Sequence, residues 1–475
     1  MMTARPARIR SVADLRGRRA VVLGLARSGV AASRFLADAG AVVVAYDRRP
    51  AAELAEAVAA LGARPVRLAL GVDQAAAVAL LAHADLLVTS PSVSSRFPTT
   101  DPWLREALAG AEARGGEVVS EVELFLRLTR ARILAVTGTK GKTTTASLVA
   151  AMLERAGVPH VLGGNIGTPL VERATDLGPD DWAVLELSEL QLPTITRGAD
   201  VALYTNVGED HLDRHGTVEA YRAVKARLAE LSSPSGRVVL NNDDPGCRAL
   251  GEVLAPASVA WYGMVEPGRG RIEAWLDDDG RLIVAGERIL DSGDVPLPGR
   301  HMLSNVLCAS LGASLAGAPA AAIGEAIAAF EGVPHRLQLV AERGGVRWVN
   351  DSQATIPVAA IAALEAFSAP IVLIAGGKDK GLAYDDFAAA IAAHSRAVVL
   401  IGETGDELAA LIGDRVPVER ASDMSDAVRR AAARARDGDV VLLAPAAASF
   451  DMFVDYAERG DAFRAAIESL EQDNR

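Results

Sequence analysis

The feature that most constrains this chain is a glycine-rich loop between an apolar segment and a helix. The loop TGTKGKTTT, Thr137–Thr145, ends the apolar strand that starts at Ala131 and precedes the helical segment SLVAAMLERAG. Free backbone N–H groups, a helix N-terminus and a lysine together bind phosphate. We therefore expect Lys142 to reach the terminal phosphates of a nucleotide and the Thr143 hydroxyl to ligate Mg²⁺. The alternative is a chance Gly-Lys-Thr turn, since Val136 occupies the place of the pattern's first glycine.

Apolar strands alternate with Ala-rich helices along the chain, which predicts parallel, doubly wound α/β sheets. The alternation falls into three regions, residues 1–130, 131–332 and 333–475. Predicted strands of the first and third regions are Arg18–Leu25, Ala41–Asp47, Ala84–Ser92, Val346–Asp351, Pro370–Gly377, Ala397–Gly402 and Asp439–Pro445. Gly268–Pro298 is rich in Asp and Gly and predicts a small excursion of short β-strands.

Composition excludes several classes of protein. The 475 residues include 49 Lys and Arg against 61 Asp and Glu, a net charge of −12, which argues against a nucleic-acid-coating protein. Cys247 and Cys308 are isolated, so we expect neither a disulfide framework nor a thiolate zinc site. The uncharged run Met302–Gly324 contains Asn305 and Pro319, and we predict a buried helix and a loop, not a membrane span. With no apolar signal segment near residue 1, we expect a soluble cytoplasmic protein.

Acidic and basic side chains follow two further strands. Glu186 ends the apolar strand in DWAVLELSELQL, where a phosphate-loop enzyme places a second metal contact; a solvated strand-end carboxylate is the alternative. The segment after Asn206 holds Glu209, Asp210, His211, Asp213, Arg214 and His215. It is consistent with a polar helix-capping loop, an outer Mg²⁺ site or, from the HxxxH spacing, zinc. Lys225 on the next helix, taken alone, predicts a solvated lysine.

The other motifs are weaker individually. GGNIG at Gly163–Gly167 is a tight turn with one amide, and GGKDKGL at Gly376–Leu382 suits either an anionic substrate or a surface turn. Ser449 follows the last strand, at the sheet edge where α/β proteins bind ligands. GLARSG at Gly24–Gly29 has the outer glycines of a dinucleotide fingerprint and Asp47 further on, but Ala26 replaces the middle glycine. NAD, a UDP-like diphosphate and a plain turn all remain open there, although no catalytic constellation for an NAD oxidoreductase lies nearby.

Taken in order, these motifs resemble the Mur ligase family, the ATP-dependent amino-acid ligases of peptidoglycan synthesis. The resemblance rests on TGTKGKTTT, GGNIG, ELSELQL, EDHLDRHG with YRAVK, LPGRHMLSN, HRLQLV, NDSQAT and GGKDKGL, and covers nearly the whole chain. It implies a Rossmann-like N-terminal domain for the UDP moiety, a central phosphate-loop ATPase and a Rossmann-like C-terminal domain for the incoming amino acid. The GLARSG turn and the final ASFDMFVDYAERG indicate the branch that adds glutamate, expected as the D enantiomer, to UDP-N-acetylmuramoyl-L-alanine.

The resemblance also implies residue roles. In the catalytic and metal set, Lys142 and Thr143 serve phosphate and Mg²⁺, Glu186 and His211 bind the two Mg²⁺ ions, and Lys225 is carbamylated and ligates the second. The residues implied for ATP are Thr137, Gly138, Thr139, Lys140, Gly141, Lys142, Thr143 and Thr144 for its phosphates, Asn305 for adenine, and Arg336 and Asp351 for phosphate and ribose. Those implied for the other substrates are Asp47, Arg48 and Ser90 for uridine, Asn165, Ser188 and Gln191 for muramoyl-alanine, and Thr355, Lys380, Ser449, Phe450 and Tyr456 for glutamate.

The sequence departs from the family pattern at a few positions. Gln353 stands where glutamate-adding members usually carry lysine, Ser92 replaces a glycine, Glu189–Leu190 replace Ser-Phe or Ser-Tyr, and Met302 replaces an asparagine. None of these changes removes a metal or phosphate group, so we expect an active, monomeric ligase that works through an acyl phosphate. A ligase for L-glutamate or another amino acid, or a non-ligating nucleotide-binding protein of the same fold, are the alternatives.

Overall fold

Three separate β-sheets organise the chain. The structure, a computed structural model, describes residues 8–208, 217–233, 235–255, 258–264, 272–297 and 299–470. The chain divides into two compact units, Met1–Phe330, which contains two of the sheets, and Glu331–Arg475, which contains the third.

The first sheet has five parallel strands. Its elements are β1 (Arg19–Leu23), α1 (Arg27–Asp38), β2 (Val42–Asp47), α2 (Ala55–Ala60), β3 (Val66–Leu70), α3 (Gln74–Ala82), β4 (Leu86–Thr89), α4 (Pro102–Ala113), β5 (Glu117–Ser120) and α5 (Glu121–Leu128). The strand order is β3-β2-β1-β4-β5, with every neighbouring pair parallel. The order reverses between β1 and β4, which opens a crevice at the carboxyl ends of these strands.

The second sheet has nine strands and contains the phosphate loop. Its elements are β6 (Arg132–Thr137), α6 (Lys142–Arg155), β7 (His160–Gly164), β8 (Trp182–Glu186), β9 (Val201–Tyr204), α7 (Val218–Glu230), β10 (Arg237–Asn241), α8 (Pro245–Glu252), β11 (Val259–Tyr262), β12 (Ile272–Leu276), β13 (Arg281–Val284), β14 (Glu287–Asp291), α9 (Arg300–Leu315) and α10 (Ala320–Ala328). The order is β14-β13-β12-β11-β10-β9-β6-β8-β7. The predicted β-excursion is confirmed as the antiparallel strands β12 to β14, which extend this sheet from β11.

Helices cover β6 on both faces. Leu134 and Val136 belong to one buried cluster with α6 and α9, whereas Ile133 and Ala135 belong to a second cluster on the opposite face. Because successive strand residues point to opposite faces, a continuous apolar run is what such a doubly covered strand requires. This packing holds the carboxyl end of β6 in place, where the glycine loop begins.

The third sheet has six strands. Its elements are β15 (Gln338–Arg343), β16 (Val346–Asn350), α11 (Pro357–Glu365), β17 (Ile371–Ala375), α12 (Asp385–His394), β18 (Ser395–Leu400), α13 (Gly405–Ile412), β19 (Val418–Arg420), α14 (Met424–Arg434), β20 (Val440–Leu443) and α15 (Tyr456–Ser469). The order is β15-β16-β20-β17-β18-β19, and only the edge strand β15 runs antiparallel to its neighbour. The four strands predicted here are confirmed, while β15 and β19 were not predicted.

The long uncharged run of the sequence lies inside the protein. It forms most of α9, a short loop and the start of α10, so the predicted helix and loop are followed by a second helix. Nine consecutive residues of α9, Asn305 to Ala313, are buried. Across the ranges that the structure describes, no helix has the length and apolarity needed to cross a membrane.

Candidate functional site

Glycines shape the loop between β6 and α6. Gly138 has φ +147° and Gly141 has φ +84°, backbone conformations that residues with a side chain rarely adopt. A Cβ atom at Gly138 would lie 1.9 Å from Thr205 Oγ1, and one at Gly141 would lie 2.4 Å from Asn305 Oδ1. The loop therefore depends on glycine at both positions. Asn305, expected at the adenine, has its side-chain amide against this loop and also donates to Met302 Sδ over 3.8 Å.

The segment after β9 holds the loop from the side. Asn206 Oδ1 accepts a hydrogen bond from the Lys140 backbone N–H at 2.9 Å, and Asn206 Nδ2 donates to the Lys140 carbonyl at 3.0 Å. Thr205 Oγ1 donates to the same carbonyl at 2.5 Å. No sequence motif assigns a role to Thr205 or Asn206. Their position directly after a strand beside β6 is the signal that could have identified them.

Two lysines approach one carbonyl oxygen of the loop. Lys142 Nζ donates to the carbonyls of Gly138 at 3.0 Å and Thr139 at 3.1 Å. Lys225 Nζ donates to the Gly138 carbonyl at 2.9 Å and to Thr137 Oγ1 at 3.3 Å. Lys225 is fully buried, with its ammonium 5.4 Å from the centre of the Tyr221 ring. The interpretation of Lys225 as a solvated helix lysine is therefore wrong, because α7 directs it into the phosphate loop.

Glu186 supplies a buried carboxylate beside the loop. It ends β8 opposite Val136 of β6 and is 1% exposed. Its Oε1 accepts from Asn165 Nδ2 at 2.8 Å, while its buried Oε2 has no hydrogen-bond partner among the described residues. The solvated-carboxylate alternative is therefore wrong. A buried carboxylate oxygen without a donor is costly unless a cation or an ordered water meets it.

The predicted muramoyl-alanine residues lie at the carboxyl ends of β7 and β8. A Cβ atom at Gly164 would lie 2.3 Å from the Glu186 carbonyl oxygen, so glycine lets Asn165 reach Glu186. Beyond β8, the Ser188 backbone N–H and Oγ both donate to Gln191 Oε1, at 2.9 and 3.1 Å. These three polar side chains therefore belong to the same edge of the sheet as the phosphate loop.

The proposed magnesium ligands are partly described. Thr143 at the start of α6 is 4% exposed and, with Glu186, offers the oxygen donors that Mg²⁺ prefers. His211 lies in residues 209–216, outside the described residues, as do the neighbouring acidic residues and His215. Within the described ranges, no group of three or more His, Cys, Asp or Glu could hold a metal ion. The Glu186 oxygen that lacks a partner fits a cation. Lys225 could ligate a metal ion only in a neutral or negatively charged form.

The first sheet carries a cavity at the carboxyl ends of β1, β2 and β4. Its volume is about 480 Å³, and Asp47, Arg48 and Ser90, the predicted uridine residues, all line it with Tyr46 and Trp103. Arg48 Nη1 donates to Asp101 Oδ2 at 2.8 Å, and Ser90 Oγ lies 3.0 Å from Ser92 Oγ.

Asp47 is held in its ionised form at the wall of this cavity. Burial opposes ionisation, but hydrogen bonds from the Arg49 side chain and from the backbone N–H groups of Leu25 and Arg49 outweigh it and lower the Asp47 pKa to about 2. Arg49 Nη2 lies 2.9 Å from Asp47 Oδ2. Arg49, which no sequence motif indicated, therefore binds the carboxylate that was assigned to uridine.

In the second unit, four of the five predicted glutamate residues lie in loops after strands, namely Thr355, Lys380, Ser449 and Phe450. Lys380 Nζ donates to the Thr355 carbonyl at 3.1 Å, and burial lowers the Lys380 pKa. Ser449 is 2% exposed, Phe450 is 70% exposed, and Tyr456 begins α15.

A buried arginine that the sequence analysis missed supports the same loops. The Arg459 guanidinium is fully buried and donates to Ser352 Oγ at 3.0 Å and to the Ala447 and Ala448 carbonyls at 3.1 Å. Arg459 lies three residues after Tyr456 in α15, and we find no other indication of its role in the sequence.

Asp351, predicted at a ribose, is also buried. Burial raises its pKa to about 6, although its Oδ1 accepts a hydrogen bond from the Leu337 backbone N–H at 3.0 Å. The positive charge of Arg336 lowers the Asp351 pKa and so partly offsets the effect of burial. Both predicted partners of the nucleotide in this unit thus lie in the 335–351 segment.

Family comparisons agree with this geometry. The Mur ligase middle domain matches residues 136–313, and the Mur ligase glutamate ligase domain matches residues 335–447. A UDP-N-acetylmuramoylalanine–D-glutamate ligase of Solibacter usitatus is 40% identical, over 96% of this chain and 99% of that protein. The chain belongs to the Mur ligase family. Another Mur ligase of the same name, from Anaeromyxobacter dehalogenans, is 42% identical over 95% of this chain and 97% of its own length.

Solved structures of Mur ligases share the fold. UDP-N-acetylmuramate–alanine ligase from Thermotoga maritima has a TM-score of 0.54 with 17% identity and covers 96% of this chain and all of its own. A murein peptide ligase from Psychrobacter arcticus has a TM-score of 0.50 with 15% identity, covering 96% of this chain and 98% of its own. As a Mur ligase, the chain is an ATP-dependent, ADP-forming amino-acid ligase that uses ATP and Mg²⁺.

Proposed function

We propose that this protein adds D-glutamate to UDP-N-acetylmuramoyl-L-alanine in peptidoglycan precursor synthesis, with release of ADP and phosphate. The observation that carries the proposal is the pair of lysines on the Gly138 carbonyl, Lys142 and the buried Lys225, on a loop whose strand β6 pairs with the strand that ends in the buried Glu186. The choice of D-glutamate is supported by the full-length relatives, several of which are named UDP-N-acetylmuramoylalanine–D-glutamate ligase. ATP as co-substrate favours the cytoplasm, and we propose a monomer.

The first step joins two anions. The alanyl carboxylate of the UDP-linked substrate attacks the γ-phosphorus of ATP, and the bond from that phosphorus to the β–γ bridging oxygen breaks. ADP is released, and the substrate becomes an acyl phosphate. Lys142 would move from the Gly138 and Thr139 carbonyls to the phosphates, and the other assigned loop residues, Thr137 to Thr144, would surround them, with free backbone N–H groups at the start of α6 as donors. The ATP assignment also includes Asn305 in the first unit and Arg336 and Asp351 in the second.

The metal assignment gives Lys225 a changed charge. Two ammonium groups on one carbonyl oxygen repel each other, which favours loss of a proton from Lys225. The neutral amine would form an N–C bond to CO₂ and release a second proton to solvent, which leaves a carbamate in place of the ammonium. We propose that this carbamate and His211 hold the second ion, while Thr143 and Glu186 hold the first. Bound Mg²⁺ would supply neutralisation of the phosphate charges.

The second step forms the amide bond. The glutamate amine attacks the acyl-phosphate carbon, and the resulting tetrahedral intermediate expels phosphate. We assign the glutamate to the second unit, where Lys380 would select its side-chain carboxylate with Thr355, Ser449, Phe450 and Tyr456. In the first unit, Asn165, Ser188 and Gln191 would contact muramoyl-alanine, and Asp47, Arg48 and Ser90 would contact uridine. We propose 1–130, 131–332 and 333–475 as the corresponding domains.

A substrate panel tests the proposal. The protein receives ATP, Mg²⁺, bicarbonate and UDP-N-acetylmuramoyl-L-alanine, with D-glutamate, L-glutamate, L-lysine or diaminopimelate in separate reactions, and phosphate release and product mass are measured. We expect turnover with D-glutamate only and the mass of the extended product. Turnover with another amino acid would still support the ligase mechanism but would contradict the proposed specificity for D-glutamate. ATP binding without turnover in every reaction would indicate a non-ligating protein.

A further inference from the structure

A small second cavity adjoins the 480 Å³ cavity of the first sheet. Its volume is about 130 Å³, and Leu23, Gly24 and Ser90 line both cavities. The rest of its wall comes from the turn before α1, the end of β4 and a single acidic side chain, that of Glu121. A ligand in the larger cavity therefore has a direct extension towards the start of α1.

The turn before α1 favours an anion in this extension. Ala26 is the N-cap residue of the twelve-residue helix and provides no capping side chain, while Ala26, Ser28 and Gly29 line the cavity. The first N–H groups of an uncapped helix carry partial positive charge that attracts phosphate. A Cβ atom at Gly29 would lie 1.8 Å from the Gly24 carbonyl oxygen, so the turn is as tight as phosphate-binding turns require.

Glu121 is a buried acid in the wall of that cavity. It is 5% exposed, and its Oε1 accepts a hydrogen bond from the Val171 backbone N–H at 2.8 Å. Burial raises the Glu121 pKa to about 7, and the nearby charge of Glu172 acts in the same direction. The group therefore changes its protonation in the neutral range.

The cations near Glu121 are engaged with other carboxylates. On α1, Arg34 Nε lies 3.0 Å from Glu172 Oε1 of the 3₁₀ turn Val171–Arg173. On α5, Arg127 pairs with Glu123 and with Glu117 of β5, and in the turn Arg173 pairs with Asp176. None of these pairs involves the Glu121 carboxyl.

We propose that Glu121 takes up a proton from solvent when the diphosphate of the UDP-linked substrate enters the small cavity, and then donates a hydrogen bond to a phosphate oxygen. The inference rests on the proposed function, which supplies the UDP group. A buried carboxylate beside a phosphate is repelled by its negative charge, whereas a carboxylic acid is a hydrogen-bond donor. Substrate affinity should therefore fall about tenfold per pH unit above the Glu121 pKa.

Proton uptake measured by calorimetry tests this directly. UDP-N-acetylmuramoyl-L-alanine is titrated into the protein in buffers of different ionisation enthalpy, at about pH 6 and about pH 8, where Glu121 is mostly neutral and mostly ionised. The substrate's own acidic groups do not titrate in this range, so the uptake reports on the protein. We expect uptake of about one proton at the higher pH and little at the lower pH.

Two variants separate this role from a purely structural one. Glu121→Gln retains an acceptor for the Val171 N–H and a donor for phosphate, so it should bind without proton uptake and with the same affinity at both pH values. Glu172→Gln removes a neighbouring charge outside the cavity wall and should retain the uptake. Uptake that persists in Glu121→Gln, or none in the unsubstituted protein, overturns the inference while turnover with D-glutamate still supports the function. Failure to bind the UDP substrate at all overturns both.

Discussion

Lys142 and Lys225 show which residue roles a contiguous sequence motif can suggest and which it cannot. The role of Lys142 follows from its place in TGTKGKTTT, because the loop, the helix start and the lysine are contiguous in the sequence. Lys225 is more than 80 positions from the loop residues that it contacts, Thr137 and Gly138. Only the resemblance to Mur ligases indicated it, since helical spacing alone predicts a solvated side chain.

Replacement of Lys142 tests the phosphate-loop assignment. Lys142→Ala removes the side-chain cation that neutralises the reacting phosphates, and we expect phosphate release to fall by about 10³-fold or more. Phosphate release with all substrates present is the measurement. Arg155→Ala, which removes an exposed cation at the other end of α6, is the control and should retain turnover. Near-normal release by Lys142→Ala would contradict the assignment.

Glu186 makes a separate prediction about the metal. Glu186→Gln retains a side-chain oxygen but removes the charge of the buried carboxylate, so the Mg²⁺ concentration for half-maximal activity should rise about 10- to 100-fold. A Mg²⁺ titration of phosphate release measures this. Glu154→Gln changes an exposed residue of α6 and should leave the titration unaltered. An unchanged Mg²⁺ requirement in Glu186→Gln would exclude Glu186 as a ligand.

At the level of elements, α6 has a glycine with positive φ at each end, and the two differ in their surroundings. Gly157 has φ +66° and nothing within 4 Å of an added Cβ, whereas a Cβ at Gly141 meets Asn305. Gly157→Ala should therefore cost only about 1 kcal/mol of stability, from the left-handed backbone. Gly141→Ala should cost more, by about 1–3 kcal/mol, because a side-chain clash is added.

Thermal unfolding of both variants measures the difference. Asn305→Ala introduced with Gly141→Ala should restore part of the lost stability, since it removes the clashing amide. Equal destabilisation by the two glycine replacements, or no recovery in the double variant, would show that the Asn305 contact does not constrain the loop.

Predictability of the elements depends on burial. The four strands predicted in the third region are central or nearly so, and their apolar runs are buried on both faces, as β17 shows with all five residues buried. The edge strand β15 has only three consecutive apolar residues, its only buried residue is Gln338, and it was noted only as part of the HRLQLV motif. The edge strand β19 has three residues, too few for a pattern. Edge strands have one neighbour, so less of their sequence is dictated by packing.

The whole molecule consists of two compact units, and each has its own core. The third sheet is covered on both faces, by clusters that include Phe387 on one side and Phe463 on the other. We therefore expect a fragment that begins at Glu331 to unfold cooperatively by itself. Circular dichroism and thermal denaturation of that fragment are the measurements. Gradual, non-cooperative melting would show that the second unit depends on the first.

The buried acids make stability depend on pH. Glu121 has its pKa raised from 4.5 to about 7 in the folded protein, so the folded state binds more protons than the unfolded state between these values. The stabilisation is complete below the unfolded pKa and is lost as pH rises through about 7. In the unsubstituted protein, this loss amounts to about 3 kcal/mol of unfolding free energy between low and high pH. Glu121→Gln should not show it.

Denaturant unfolding of both proteins across this pH range is the measurement. The difference in unfolding free energy should move in favour of Glu121→Gln as pH rises. Asp351 in the second unit, with its pKa raised to about 6, should give a residual dependence of the same sign in both proteins. A constant difference across the range would show that Glu121 titrates normally.

The shared Gly138 carbonyl has a practical consequence for enzymology. Before Lys225 reacts with CO₂, two ammonium groups on one oxygen beside the N-terminus of α6 attract small polyanions, whatever their source. Sulfate, phosphate and pyrophosphate should compete with ATP, and each should raise the melting temperature in proportion to the logarithm of its concentration. Apparent constants for ATP will therefore depend on the buffer anion, and zwitterionic buffers are the appropriate reference condition.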